Sequence, residues 1–142
     1  MPVVDASVVV DWVAPGIAPT QPSIALLARL AAGDVEILAP RLLLEDVSNA
    51  LLTGIRRGRW SGAAADAAHS LLGDLPVTLA DEPRDLVRAW DLARRYDNHP
   101  VYDMVYVALA ERRGMQLVTA DSALRAALAG FDWVIAPEHA LR

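Results

Sequence analysis

The stretch MPVVDASVVVDW, residues 1–12, decides how the rest of this chain is interpreted. Asp5 ends one apolar segment and begins another, in a region whose valines favour a buried β-strand. A carboxylate loses a large hydration free energy when it leaves water, so a buried one needs a partner. The remaining sequence supplies the candidates.

Segments of two kinds alternate along the chain. Five short segments are predicted strands, at residues 2–6, 35–40, 76–80, 115–121 and 132–136. Segments with helical periodicity lie between them, at residues 20–32, 41–58, 61–73, 83–96, 101–113 and 122–129, and several end at glycines typical of helix C-caps. This alternation predicts an α/β fold with a parallel sheet covered by helices on both faces.

Length and composition predict one domain over residues 1–142, without repeats or linkers. The longest apolar stretch, residues 104–110, is far shorter than the roughly 20 residues of a membrane helix. The first residues lack the features of a signal peptide, and there is no cysteine. We therefore expect a soluble, cytoplasmic protein with no membrane partner.

The charged residues narrow the possible functions. All 13 basic residues are arginine. The absence of lysine argues against phosphate-accepting receiver domains, dehalogenase-type phosphatases and P-loop hydrolases, and no GxGxxG or GxSxG stretch occurs. The net charge of −5 argues against non-specific attraction to nucleic acid, although grouped arginines leave local basic patches possible.

Two aspartates lie at the predicted ends of strands. Asp5 ends the first strand and Asp121 ends the fourth, in LVTADSAL. If these strands are neighbours in a parallel sheet, both carboxylates emerge at one edge, about 5 Å apart. Ligands bind at this edge in open α/β sheets. The alternative, that each aspartate only caps the following helix, stays open.

The helix VYDMVYVALAERR, residues 101–113, carries a third acid on an apolar stripe. Asp103 shares this stripe with Tyr106 and Val107, which indicates an inward orientation. The alternative is a first-turn acid that faces water and gains from the helix dipole.

A fourth acid lies in PRLLLEDVSNALL, residues 40–52. We expect Glu45 beside the apolar face of this helix, on the side of Leu52 and one turn before Asn49, with Asp46 pointing further toward solvent. Taken singly, such a glutamate is usually solvated.

Four carboxylates at one edge of a sheet would repel each other unless a cation neutralised them. Oxygen ligands without a cysteine or a histidine cluster suit Mg²⁺ or Mn²⁺ better than Zn²⁺. His99, one turn before Asp103, is placed to support the site.

These motifs resemble the PIN-domain ribonucleases, in particular the toxins of VapBC toxin–antitoxin pairs. The resemblance covers nearly the whole chain through VVDASVVVDW, APRLLLEDVSNAL, VYDMVYVALAERRG and LVTADSAL, in the family's order. It implies a three-layer α/β/α domain with a five-stranded parallel sheet of order 3-2-1-4-5. It also implies an acidic pocket that binds Mg²⁺ or Mn²⁺ and cuts RNA, with Asp5, Glu45, Asp103 and Asp121 as the metal-binding and catalytic acids.

The resemblance extends to three supporting residues. Ser7 matches a small hydroxyl residue, and Asn49 and Thr119 match polar positions that line or orient the pocket. One departure is Pro100, which stands where the family often has a serine or threonine that caps the helix of the third acid. Asn98 or His99 is then the candidate cap, and the orientation of Asp103 is the feature that this departure affects.

The function implied is that of a metal-dependent endoribonuclease, the toxin of a type II toxin–antitoxin pair, which hydrolyses phosphodiesters with a metal-activated water. The resemblance also implies a cognate antitoxin and a homodimer. Four apolar residues near the proposed pocket are candidates for antitoxin contact: Trp12, Val13, Ile17 and Trp60. For the two tryptophans, a role in the core is the favoured interpretation. The alternative function is a catalytically silent PIN-fold module that binds protein or RNA.

Overall fold

The computed structural model describes residues 1–140, in which five parallel strands form one sheet of order β3-β2-β1-β4-β5. This order and the parallel direction confirm the predicted fold class. The strands are β1 (Val3–Val4), β2 (Ile37–Pro40), β3 (Val77–Ala80), β4 (Leu117–Val118) and β5 (Val134–Ile135).

Eight helices surround the sheet in the described part of the chain. They are α1 (Ala6–Val13), α2 (Pro22–Ala32), α3 (Leu43–Arg56), α4 (Gly62–Leu72), α5 (Arg84–Arg95), α6 (Val101–Arg113), α7 (Ser122–Ala127) and α8 (Pro137–Ala140). The helical segments predicted from periodicity did not include α1 or α8. Across residues 1–140, every helix is too short or too polar to cross a bilayer.

The first and fourth strands are shorter than predicted because aspartates end them. The Asp5 side chain accepts a hydrogen bond from the Val8 backbone N–H, which starts α1 immediately after β1. Asp121 caps α7 in the same way after β4. A residue predicted to end each strand therefore begins the following helix.

β1 lies at the centre of the sheet, between β2 and β4. Its two valines and both residues of β4 are fully buried, as expected for strands covered on both faces. Helix α6 packs against β1, β2, β4 and α5, whereas α1 packs against α2, α3 and α4. The chain thus forms one helical layer on each side of the sheet, and the carboxyl ends of β1 and β4 mark the point where the strand order reverses.

Three residues proposed as antitoxin contacts belong to the core or its border. Trp12 donates from its indole N–H to the Ser23 carbonyl at 2.7 Å, and Trp60 donates to the Leu51 carbonyl at 3.0 Å. Val13 is buried. Both tryptophans are partly buried and pack against the hydrophobic core, as their preferred core interpretation expects, and the antitoxin contact stays a prediction.

Candidate active site

Asp5 is the most deeply buried carboxylate at the carboxyl edge of the sheet, with 5% of its surface exposed. Burial raises its pKa from 3.8 to about 6, and the negative charge of Asp103 adds to this. Hydrogen bonds from Ser7, Thr119 and the Val8 backbone oppose the rise in pKa. A positive charge near Asp5 would therefore stabilise its ionised form.

Ser7 and Thr119 connect the ends of the two central strands. The Ser7 hydroxyl donates to Asp5 and lies 3.4 Å from the Thr119 hydroxyl. It also accepts a hydrogen bond from the Ala120 backbone N–H at 2.9 Å. Thr119 is fully buried. Both residues thus hold the loop after β4 against Asp5, and their proposed family role stays a prediction.

Asp103 lies in the first turn of α6 and is held by a histidine. His99 Nε2 is 2.7 Å from Asp103 Oδ2, with 20% of the histidine side chain exposed. Pro100 is the N-cap residue of α6, and no side chain caps this helix end. The capping expected of Asn98 or His99 does not occur. His99 instead contacts the carboxylate itself.

The predicted orientations of Glu45 and Asp46 are wrong. Asp46 is half-buried and accepts a hydrogen bond from the Tyr106 hydroxyl at 2.8 Å. Glu45 is exposed, with 57% of its side chain accessible, and it pairs with Arg41 at 2.8 Å. The structure therefore brings Asp46, not Glu45, to the acids of the site.

The error has a simple physical cause. Glu45 was placed on the side of Leu52, and Leu52 is 52% exposed, so this side of α3 faces solvent. The buried side carries Leu43, Val47 and Leu51. Successive helix residues differ by about 100° in direction, so an error of that size in the assigned face exchanges two adjacent acids. Asn49 lies on the exposed side with Glu45, and its proposed role stays a prediction.

Electrostatics separates the two acids as clearly as geometry does. Burial raises the pKa of Asp46, the Tyr106 hydrogen bond opposes this rise, and the charge of Asp103 adds to it. Hydrogen bonds from its own backbone N–H and from Arg41 hold the pKa of Glu45 below its usual range. Asp46 thus shares the electrostatic environment of Asp103, whereas Glu45 forms an exposed ion pair with Arg41.

Tyr106 is a site residue that the sequence reasoning did not assign. Its ring is 1% exposed, and its hydroxyl lies among carboxylates. Burial raises its pKa far above the usual value, and the charges of Asp46, Asp5 and Asp103 raise it further. The available signal was its position on the apolar stripe of Asp103, one turn along α6. That stripe was interpreted only as evidence for the direction of Asp103.

Asp121 acts as a helix cap in this structure. Its Oδ1 accepts hydrogen bonds from the backbone N–H groups of Ala123 and Leu124, at 3.0 and 3.1 Å. Its own N–H donates to the Thr119 hydroxyl at 3.1 Å, which places it next to the Ser7 and Thr119 contact. The capping alternative is thus observed, and a metal-binding role for Asp121 stays a prediction.

The donor set fits a hard divalent cation. Within residues 1–140, no three acidic or histidine side chains are arranged closely enough to hold a metal ion between them. Mg²⁺, however, usually retains several waters and binds one or two carboxylates together with substrate phosphates. Burial raises the pKa of Asp5 and of Asp46, and the nearby charge of Asp103 adds to both rises, so these carboxylates match this type of site.

Comparisons with known proteins identify the family and the fold of the chain. The sequence matches the family described as PIN domain over residues 3–128. No curated protein sequence matches significantly. A similar solved structure is that of Mycobacterium tuberculosis VapC20, described as a toxin that cleaves the sarcin–ricin loop, with 22% identity and a TM-score of 0.65. The match covers 94% of this chain and 98% of that one.

Proposed function

The chain belongs to the PIN domain family, and from this membership we propose that it is a metal-dependent endoribonuclease, the toxin of a type II toxin–antitoxin pair. The observation that carries the proposal is the cluster of Asp5, Asp46 and Asp103 around the buried Tyr106 hydroxyl. Carboxylates that are buried close to another negative charge at the edge of a parallel sheet are the arrangement that a cation would stabilise.

We assign the metal to the edge where Asp5, Asp46 and Asp103 lie, with one or two of these carboxylates binding it directly and the others, with Asp121, binding through its retained waters. A bound Mg²⁺ or Mn²⁺ would lower the pKa of a water molecule and stabilise charge on the attacked phosphate and the leaving oxygen. Asp46 Oδ2 already accepts a hydrogen bond from Tyr106, so we assign to Oδ1 the role of the base that accepts a proton from the attacking water. His99 keeps Asp103 in place, and Ser7 does the same for Asp5.

RNA is the proposed substrate. The structural similarity to VapC20, described as a toxin that cleaves the sarcin–ricin loop, supports RNA as the first polymer to test. The net charge of −5 means that overall attraction will not hold RNA, so binding would depend on the metal and on local arginines. Arg41, after β2 at the same edge of the sheet, is such an arginine.

The proposed partners are a cognate antitoxin and a second copy of the chain, acting in the cytoplasm. Support comes from exposed apolar side chains on α5. Leu86, Val87 and Trp90 are 56%, 74% and 65% exposed. Apolar groups clustered on one helix are typical of protein contact sites.

The test is cleavage of ribosomal RNA by the purified chain. We expect cleavage with millimolar Mg²⁺ or Mn²⁺, loss of cleavage with excess EDTA, and recovery when the metal is restored. Mapping the cleaved ends would identify the target site. Metal-independent cleavage would contradict the assignment. Absence of cleavage with every metal would favour the alternative, a silent PIN-fold binding module.

A further inference from the structure

Tyr106 connects the helices that carry two of the site acids. It lies on α6, three residues after Asp103, and its hydroxyl donates to Asp46 on α3 at 2.8 Å. We infer that Tyr106 is a positioning residue, whose hydroxyl holds the Asp46 carboxylate in the orientation that metal binding and water activation need. This inference rests on the proposed nuclease function and deepens it.

The tyrosine hydroxyl is confined to the role of donor. The ring that carries it is buried, and the Asp46 carboxylate oxygen that lies 2.8 Å from the hydroxyl can only accept a hydrogen bond. A neutral hydroxyl beside ionised carboxylates gives its hydrogen to one of them. Asp46 receives it at Oδ2.

This bond also sets the spacing of two carboxylates. Asp103 and Tyr106 lie three residues apart on one helix, so they face the same side and move together. Because Tyr106 binds Asp46, the position of Asp46 relative to Asp103 depends on α6 itself. Without this bond, that spacing would depend only on how α3 and α6, on opposite sides of the sheet, each pack against their own neighbours.

The simpler interpretation is that the hydroxyl only satisfies a buried polar group. The two interpretations differ in what they predict for the metal. A purely structural bond affects the stability of the metal-free protein and leaves metal affinity unchanged. A positioning bond changes metal affinity and the chemical step, because the carboxylate that it releases is free to rotate.

The experiment compares Tyr106→Phe, which removes only the hydroxyl, with Tyr102→Phe. Tyr102 is also on α6 but is 59% exposed, so its substitution is a matched control. Mn²⁺ binding is measured by calorimetry on the intact chain, and RNA cleavage gives kcat and KM. Circular dichroism and thermal melting without metal establish whether each variant is folded.

For Tyr106→Phe we expect Mn²⁺ affinity to fall about tenfold or more, since the charge-assisted hydrogen bond that orients the Asp46 carboxylate is lost. We expect kcat to fall and KM for RNA to stay near the wild-type value. Tyr102→Phe should match the wild type in each measurement. The double variant Tyr106→Phe with Asp46→Asn should bind Mn²⁺ no more weakly than Asp46→Asn alone, because the hydroxyl acts through that carboxylate.

The outcomes separate this inference from the proposed function. If the wild type binds Mn²⁺ and cuts RNA, and Tyr106→Phe does both equally well, the positioning role is wrong and the nuclease assignment stands. Additive losses in the double variant would also overturn it. A wild type that neither binds Mn²⁺ nor cleaves RNA would remove the proposed function and this inference with it. If Tyr106→Phe is unfolded, the same measurements are made on Tyr106→His, whose side chain can donate a hydrogen bond. Wild-type Mn²⁺ affinity of that variant supports the positioning role, and a tenfold loss of Mn²⁺ affinity contradicts it.

Discussion

Asp5 is the residue at which burial and charge conflict most strongly. It is nearly inaccessible to water and lies near Asp103, so its pKa rises to about 6. Its hydrogen bonds to Ser7, Thr119 and Val8 offset only part of this rise. Ionisation of Asp5 therefore destabilises the metal-free protein, and the free energy of unfolding depends on pH.

The first prediction concerns this dependence. Between about pH 4 and 6, folded Asp5 retains a proton that the unfolded chain, with a pKa of 3.8, has lost. The free energy of unfolding should therefore fall as pH rises through this range, by up to about 3 kcal/mol from this group. Urea unfolding in EDTA at a series of pH values measures the slope.

Asp5→Asn is the comparison for that experiment. Its amide is neutral throughout and can still cap α1, so the wild-type fall in stability should be largely absent. Equal slopes for the two proteins would show that Asp5 titrates normally.

A second prediction at this scale separates two adjacent acids. Asp46→Asn should reduce RNA cleavage about a hundredfold or more, because it removes the base assigned to the attacking water. Glu45→Gln is the matched control: it breaks only an exposed pair with Arg41 and should stay within about twofold of the wild type. Initial rates at saturating metal measure both. The reverse order would return the role to Glu45.

At the scale of elements, α3 is held in place by close packing at its C-terminal end. Gly54 is buried there, and the Trp60 ring covers it. A Cβ at residue 54 would lie 2.1 Å from that ring, far closer than two non-bonded carbon atoms can approach. The absence of a side chain at Gly54 thus allows the turn after α3 to fold back on the helix that carries Asp46.

The third prediction follows from this contact. Gly54→Ala should lower the free energy of unfolding by about 1–3 kcal/mol, since the tryptophan must shift to relieve the overlap. The control is Gly62→Ala at the start of α4, where nothing lies within 4 Å, and its stability should be equal or slightly higher. Chemical denaturation measures both. An undiminished stability of Gly54→Ala would mean that Trp60 can move without cost.

At the scale of the whole molecule, the topology gathers the acids. β1 and β4 are adjacent and parallel, although more than one hundred residues separate them in the chain, so their carboxyl ends meet at one edge. Asp5 and Thr119 follow directly from this pairing. Asp46 and Asp103 come from helices on opposite sides of the sheet. Folding therefore concentrates negative charge before any cation is bound.

The fourth prediction uses this concentration of charge. A cation that binds only the folded chain stabilises it, by about 2.7 kcal/mol at a concentration one hundred times its Kd. Millimolar Mg²⁺ or Mn²⁺ should therefore raise the melting temperature by about 5 °C or more relative to NaCl of equal ionic strength. Calorimetric melting of the RNA-free chain measures the shift.

Variants locate the source of this shift. Asp103→Asn should weaken the response to metal, whereas Asp66→Asn, at an exposed position on α4, should leave it unchanged. An unchanged response in Asp103→Asn would remove Asp103 from the metal site.

The sequence by itself determined the layers of this protein and the region of its site. Alternating apolar strands and amphipathic helices were enough to predict a covered parallel sheet, and the resemblance supplied the strand order that the structure confirms. Asp5 and Asp121 were correctly placed after adjacent strands, since position along a parallel strand needs no knowledge of side-chain contacts.

The tertiary structure alone decided which side chains face one another. Asp46 rather than Glu45 joins the site, Tyr106 donates to it, and His99 holds Asp103. The physical reason is that a helix pattern defines directions only relative to its own axis. The rotation of α3 depends on the elements that cover it, and a turn of about 100° exchanges neighbouring residues.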